Sequence, residues 1–422
     1  MPKRKRVLSG MRPTGRLHLG HYFGALQNWI RFQDEYDCFY FVADWHALTT
    51  HYADTSSIAE STLEVVTDWL AVGLDPAKST LFVQSNILEH AELDVLLSMI
   101  TPLSWLERVP TYKEQIENLK DRDLGTYGFL GYPLLQAADI VMYGDPKQDL
   151  LVPVGEDQAP HVELTREVVR KFNSHFGFEV RSQEAGFAGA LERLKLAIPF
   201  TPSVEDAAVP GEQTLRENPW VFRARSAEIG WDNFRREVGG DAKYFRMNSI
   251  LREPAYVATE TPRLPGTDGR RMAKSYGNAI WLSDPPEQLR KKALNMMTDP
   301  QRVRRSDPGR PEVCPVFAYH KLFSPPDVTV WADQGCRTAG IGCVDCKGAM
   351  ADQLVRWIEP IQTRRKEFEA HPEEVWDILS AGSDRARKAA KRTMKRVREA
   401  IFKWNEARRP SKSSKRKGMA GG

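Results

Sequence analysis

Short apolar runs alternate with helical periodicity through the first 177 residues. The apolar pair Val7-Leu8 leads into a loop rich in Gly and His, and an amphipathic helical pattern follows directly. Asp37–Val42 is a compact β-rich run, residues 80–84 form another, and Leu150–Val154 a further one. Ser57-x-x-Glu60 has the form of a capping box, opening a helix with Val65, Val66, Trp69 and Leu70 on its inner face. Helical stretches are expected at 92–100 and 106–119, and from the Gly155-Glu156-Asp157-Gln158 turn through Phe172. This strand–helix alternation predicts an α/β fold with a doubly wound parallel sheet, whose ligands bind beyond the carboxyl ends of the strands. His18, His21, Asp44, His46 and the 155–158 turn all follow predicted strands, so they can reach one cleft.

The periodicity fails over 178–262. Pro199, Pro202, Pro210 and Pro219 exclude one long helix, while Trp220, Phe222, Trp231, Phe234, Tyr244 and Phe245 suffice to seed a small core of an inserted subdomain. Residues 263–283 then return to the catalytic domain. Ser283-Asp284-Pro285 is a helix start, and helices are expected at 348–369, 373–381 and 384–406, giving an all-helical domain over 284–406. Residues 407–422 read as a basic disordered tail. No run of about 18 apolar residues exists for a membrane span, and the basic start Lys3-Arg4-Lys5-Arg6 lacks the apolar stretch of a secretory signal, so a cytoplasmic protein is expected. The net charge of +4 is unevenly spread: from residue 385 there are fifteen Lys/Arg and two Glu, which leaves −9 on the first 384 residues. A basic end on an acidic body points to a local polyanion contact.

Two segments carry the chemistry. Pro13-Thr14-Gly15-Arg16-Leu17-His18-Leu19-Gly20-His21 sets two imidazoles and close glycines before a helix N-terminus, an arrangement suited to polyphosphate. Arg271-Met272-Ala273-Lys274-Ser275 is the second. Four of the five cysteines, Cys314, Cys336, Cys343 and Cys346, are spaced C-x21-C-x6-C-x2-C, which reads as a four-thiolate metal site for zinc or iron–sulfur; Cys38 lies in an apolar strand as a core residue.

The pair of segments resembles the His-x-Gly-His and Lys-Met-Ser-Lys-Ser signatures of class I aminoacyl-tRNA synthetases. Ser9-Gly10-Met11-Arg12-Pro13-Thr14-Gly15, the run 131–140 (GYPLLQAADI) and the run 152–158 (VPVGEDQ) extend the resemblance to the bacterial tryptophanyl-tRNA synthetases, in a long form with an insertion. It implies a nucleotide-binding Rossmann-like catalytic domain, ATP with Mg²⁺, L-tryptophan and tRNA(Trp) as partners, a homodimer, and neither membrane nor DNA. It further implies that His18, His21, Lys274, Arg271 and Lys113 act on the phosphates. Arg12, Pro13, Thr14, Gly20, Gly155, Glu156, Asp157, Leu264, Met272, Ala273 and Ser275 would line the nucleotide. Asp139 would accept the indole N–H, and Tyr132, Gln136, Gln158, Asp44 and His46 would complete the tryptophan pocket. The cysteine spacing is similar to that of relatives with a [4Fe-4S] cluster, zinc being the alternative. Arg271 and Ala273 depart from the signature's usual Lys and Ser. For RNA contact the reading points to Arg302, Arg304, Arg305, the cysteine loop and the 387–398 stretch. A tyrosine-specific enzyme, disfavoured by Ala138 and Glu156, and a non-catalytic tRNA-binding paralogue are the competing readings.

Overall fold

The computed structural model describes residues 4–110, 112, 125–155, 159–197, 220–258 and 264–403. Seven strands occur among them: β1 (Arg6–Met11), β2 (Asp37–Val42), β3 (Ser79–Val83), β4 (Leu150–Val154), β5 (Phe178–Val180), β6 (Phe245–Met247) and β7 (Ala255–Ala258). Five form a parallel sheet in the order β3-β2-β1-β4-β7, with Val7 opposite Cys38 on one side and Leu151 on the other. The direction of winding reverses between β1 and β4, which opens a crevice at their carboxyl ends. β2 is a nearly continuous apolar run, and Val7-Leu8 of β1 and Leu81-Phe82-Val83 of β3 are buried, because helices cover both faces. One core packs Trp29, Trp69, Tyr40 and Val66 on one face; the other packs Phe39, Phe82, Val141 and Phe172 on the opposite face.

Several boundaries differ from the sequence expectation. The helix Ile58–Ala71 starts where expected, but the Ser57 side chain makes no capping hydrogen bond. The helix predicted at 92–100 is Glu89–Ser98, and the next described helix, Leu103–Glu107, begins earlier than predicted; most of the 106–119 stretch lies outside the described residues. β7 lies inside the span assigned to the insertion, yet it is the fifth strand of the catalytic sheet. The remainder of that span has its own core of Phe187, Leu191, Phe222, Phe234, Tyr244 and Phe245, under the antiparallel pair β5–β6.

The carboxyl-terminal region is helical but not separate. The helix Cys343–Ala370 contributes Met350, Leu354 and Ile358 to the same core as β1 and β2. The helices expected at 373–381 and 384–406 are one helix, Pro372–Phe402, which packs on β3 and on Glu89–Ser98. Four of its eight basic residues are spent on this packing: Arg385 donates to the Ser79 carbonyl, Arg387 to that of Asn86, Arg396 to that of Gly144, and Arg398 pairs with Glu92, while Lys388, Lys391, Arg392 and Lys395 are exposed. No described helix is long and apolar enough to cross a membrane. Gly382 approaches β3 so closely that a Cβ would lie 1.7 Å from the Leu81 carbonyl oxygen. Gly382→Ala is expected to lift the helix off the strand and destabilise the protein by about 1–3 kcal/mol, read as a lower unfolding midpoint in denaturant.

Candidate active site

β1 feeds the chain into Arg12-Pro13-Thr14 and then Gly15, whose φ of 83° is left-handed. His18 stands at the start of a single helical turn, Leu19–His21, which continues into a π-helical turn, Tyr22–Leu26. The His18 backbone N–H donates to His21 Nδ1 at 3.2 Å, so His21 keeps its ring proton on Nε2. The two rings lie against each other, centroids 3.8 Å apart and planes tilted by 32°. Gly20 is required there: a Cβ would sit 2.9 Å from His18 Nδ1 and Cε1, and 3.7 Å from Met272 Cβ in the second signature.

The second signature is tied to the first through the backbone. Leu19 N–H donates to Ile280 O at 3.0 Å and Leu282 N–H to Leu17 O at 2.9 Å, which sets His18 opposite Trp281. Buried Asn278 shapes the loop. Its amide donates to Asp268 at 2.7 Å and to Arg271 O at 3.0 Å, and its oxygen accepts the Ala273 N–H at 2.9 Å. Gly266 leaves room for it, since a Cβ there would fall 2.3 Å from Asn278 Nδ2. Leu264 and Met272 are buried, while Arg271 and Ser275 are exposed. Lys274 crosses between the loops, donating to the Thr14 carbonyl and, at 3.2 Å, to Thr14 Oγ1. A cavity of about 120 Å³ beside this contact is lined by Pro13, Thr14, Ala47, His51, Ser57, Ile58 and Ser61.

Burial, with the Lys274 charge added, pushes His18 down to about 4. Burial, His18 and Lys274 together push His21 to about 3. Both rings are therefore neutral at neutral pH and act as hydrogen-bonding groups, so Lys274 and the neighbouring arginines carry the positive charge of the two loops. Burial lowers Lys274 itself, which the Asp68 charge partly offsets. Buried His18 Nδ1 has no hydrogen-bond partner.

A second set of groups surrounds Asp139, which is 1% exposed on the helix Tyr127–Met142. Its carboxylate faces His46 Nε2 at 2.9 Å and His90 Nδ1 at 2.5 Å, and accepts from Gln84 Nε2 on both oxygens at 2.9 and 2.8 Å. Burial alone raises its pKa; His90 and His46 overcome that penalty and hold it below the usual carboxylate range. His90 Nε2 meets the Tyr143 hydroxyl at 2.7 Å. The sequence reading brought His46 and Asp139 to one site but missed Gln84 and His90. Gln84 had a legible signal, since it ends the predicted strand 80–84. Asp44 stitches the sheet's carboxyl end instead of facing Asp139, accepting the Ser85 N–H at 3.0 Å. Tyr132 is buried with its hydroxyl 3.3 Å from His161 Nε2, Gln136 is half-buried nearby on the same helix, and Gly155 follows β4 directly. Lys113, Glu156, Asp157 and Gln158 lie outside the described residues.

The four cysteines are free and half-buried. Cys314 precedes the helix Pro315–Phe323, Cys336 closes Pro326–Arg337, and Cys343 and Cys346 open Cys343–Ala370. Burial and then the other three thiols raise Cys346 to about 12. The sulfurs are neighbours, yet no group of three or more His, Cys, Asp and Glu among the described residues is disposed to hold a metal ion. The expected ligand shell is not formed: Cys336 Sγ takes Arg302 Nη1 at 3.6 Å, and Cys346 Sγ lies 3.4 Å from His320 Nε2. Arg302 is 8% exposed and also donates to the Ile341 carbonyl, so the expectation that it contacts RNA is corrected; Arg304 and Arg305 are exposed. Cys38 is buried as expected, its thiol pushed up to about 11.

The lowered histidines have a thermodynamic consequence. Below pH 6.5 the unfolded chain binds protons at His18 and His21 that the folded chain refuses until about 4 and 3. Stability is therefore expected to fall as pH drops from 6.5 toward 4, and a His18→Asn, His21→Asn double variant is expected to flatten that slope in denaturant titrations at a series of pH values.

Residues 2–186 and 237–358 match the family described as tRNA synthetases class I (W and Y). The chain is 49% identical over 404 residues to the tryptophan–tRNA ligase of Ralstonia nicotianae, covering 94% of this chain and 98% of that one. It is 43% identical over 398 residues to that of Thermotoga maritima, with coverage of 94% and 98%. The crystal structure of tryptophanyl-tRNA synthetase from Campylobacter jejuni, complexed with ADP and tryptophan, superposes with a TM-score of 0.70 at 26% identity, covering 94% of this chain and 99% of that one. A parallel sheet in the order β3-β2-β1-β4-β7, two signature loops clasped across its switch point and relatives matching over nearly their whole length lead to one assignment: the chain belongs to the tryptophan–tRNA ligases, the class I synthetases that join tryptophan to its tRNA with ATP.

Proposed function

We propose that tryptophanyl-adenylate forms in the crevice between β1 and β4. The tryptophan carboxylate attacks the α-phosphorus of ATP, a new P–O bond forms, the α–β bridge breaks and pyrophosphate leaves. A terminal ribose hydroxyl of tRNA(Trp) then attacks the activated carbonyl, and AMP departs. His18 and His21 donate hydrogen bonds to phosphoryl oxygens as neutral rings. Lys274 leaves Thr14 and pairs with the departing pyrophosphate, with Arg271 beside it and Lys113 as a further phosphate contact. The observation carrying this reading is the Lys274 contact to Thr14, which sets the signature cation on the opposite loop against a neutral carbonyl that phosphate outcompetes. Arg12, Pro13, Thr14, Gly20, Gly155, Glu156, Asp157, Leu264, Met272, Ala273 and Ser275 line the nucleotide. Mg²⁺ arrives on the ATP phosphates and is held chiefly by them.

Asp139 reads the indole N–H, and Tyr132, Gln136 and Gln158 hold the rest of the amino acid. Because both Asp139 oxygens already have two partners, the indole takes the place of one. His46, 6% exposed where Gln84 and His90 are 0%, is the partner that yields. The exposed stripe Leu88, Val95, Met99 and Leu103 suits burial against a second copy in a homodimer. The part of 178–262 that precedes β7 serves as an insertion; the family match is interrupted within it, between 186 and 237. Cys314, Cys336, Cys343 and Cys346 are the residues that would hold a soft metal centre, a [4Fe-4S] cluster or zinc, since four thiols spaced C-x21-C-x6-C-x2-C suit such a group. Arg304 and Arg305 stand beside it for RNA.

ATP–pyrophosphate exchange, run with tryptophan, tyrosine and phenylalanine, tests the reading: exchange with tryptophan alone is expected, and exchange with tyrosine overturns the Asp139 assignment. Lys274→Met is expected to lower kcat by about 10²- to 10³-fold with little change in KM for tryptophan. Anaerobically purified protein is expected to carry iron and sulfide with broad visible absorbance, and Cys343→Ser to lose it; zinc without colour selects the alternative.

A further inference from the structure

The groups that hold the first signature loop from behind belong to the far end of the chain. Leu17, the residue before His18, donates its backbone N–H to Asp68 Oδ2 at 2.8 Å. Asp68 is 0% exposed, and its other oxygen accepts from Arg365 Nη1. Arg365 is 3% exposed and is itself oriented by Glu64 through Nη2, with Glu369 close by in charge, while its Nε makes no hydrogen bond. The Leu17 carbonyl accepts from Leu282 N–H, and the Leu282 carbonyl accepts from Gln362 Nε2 at 3.2 Å, with a second Gln362 bond to Asp284 O at 2.6 Å. Arg364 completes the grip by donating to Ala71 O at 2.6 Å. Both backbone groups of Leu17 are thus held by partners that the helix Cys343–Ala370 holds in turn.

We propose that Arg365, assisted by Gln362, is a positioning residue for adenylation: from the helix Cys343–Ala370 it fixes Asp68, and through Asp68 the Leu17–His21 loop in the geometry that receives ATP. A buried carboxylate with one backbone N–H as its only other partner would not stay ionised; burial pushes Asp68 up to about 6 even with Arg365 beside it. Without the guanidinium, Asp68 takes up a proton or turns away, and Leu17 loses its anchor. Asp68 also supports the charge on Lys274, so both signatures feel the change. Tryptophan recognition stands on the separate network around Asp139 and has no share in this chain of contacts.

The inference rests on the proposed contact of His18 and His21 with ATP, and the test separates the two. In full-length protein, steady-state exchange is measured against ATP and against tryptophan, with circular dichroism melting as the check on folding. Arg365→Met is expected to lower kcat/KM for ATP about tenfold or more while KM for tryptophan stays within about twofold, and Arg365→Lys to recover most of the loss. Gln362→Leu, which keeps the buried charges paired, is expected to change the same parameter in the same direction but less. Should Arg365→Met fail to fold, the Lys and Leu variants decide by the same criterion. Equal losses for both substrates, or no loss, overturn the inference. His18→Asn is the reference: if it impairs ATP use and the Arg365 variants do not, positioning by Arg365 is wrong and the ATP site stands. If His18→Asn leaves ATP use unchanged, the reading of the loop itself fails, and the inference with it.

Discussion

Two backbone hydrogen bonds hold the site together: Leu19 N–H to Ile280 O and Leu282 N–H to Leu17 O. They join segments about 260 residues apart and set His18 against Trp281. Both signature loops are fitted to that junction. Gly20 lacks a side chain because the His18 ring stands where a Cβ would go, with Met272 in van der Waals reach. Lys274 reaches Thr14 because the loops are already in register. A loop that must move during a reaction needs such an anchored base, so that its tip swings and its root does not.

Charge inside the fold is handled the same way in two places. Asp139 and Asp68 are both fully buried carboxylates, and each is surrounded by donors. Asp139 has two imidazoles and an amide that keep it ionised, which leaves a strong acceptor in an apolar wall. Asp68 has a guanidinium and a backbone N–H, and its pKa stays high. The difference follows from the neighbours: His90 and His46 together outweigh burial at Asp139, whereas at Asp68 burial and the Glu64 charge outweigh Arg365 and the Leu17 N–H. The signature histidines show the opposite strategy, giving up charge to be buried beside a lysine.

Much of this was legible in the sequence, because local pattern fixes strands and signature loops. The four catalytic-half strands read as apolar runs, and the strand ends carried His18, His46 and Gly155 to the crevice. What escaped depended on long-range packing. β7 is short and follows an aperiodic segment, so its membership in the sheet rests on pairing with β4. His90 and Asp68 sit on helices whose sequence gives no sign of a buried polar partner, and those partners are 49 and 297 residues away. Asn278 was hidden for another reason: its work is done by one amide spanning a hairpin, and nothing in composition marks that. The basic stretch 387–398 was read as a polyanion surface; Arg387, Arg396 and Arg398 instead bind carbonyls and a carboxylate of the catalytic half, a use that charge alone does not reveal, while Lys388, Lys391, Arg392 and Lys395 stay exposed.

The helix Pro372–Phe402 lies along β3, the outer strand of the sheet, with Gly382 against the Leu81 carbonyl and Arg385 on the Ser79 carbonyl. An open edge of this kind is a template for another chain's backbone. Here the helix occupies it, and the glycine lets it lie flat enough to do so. A nascent chain exposes that apolar strand until its last segment has been synthesised, so the interval between making β3 and making residue 382 is the period in which this protein is most open to aggregation.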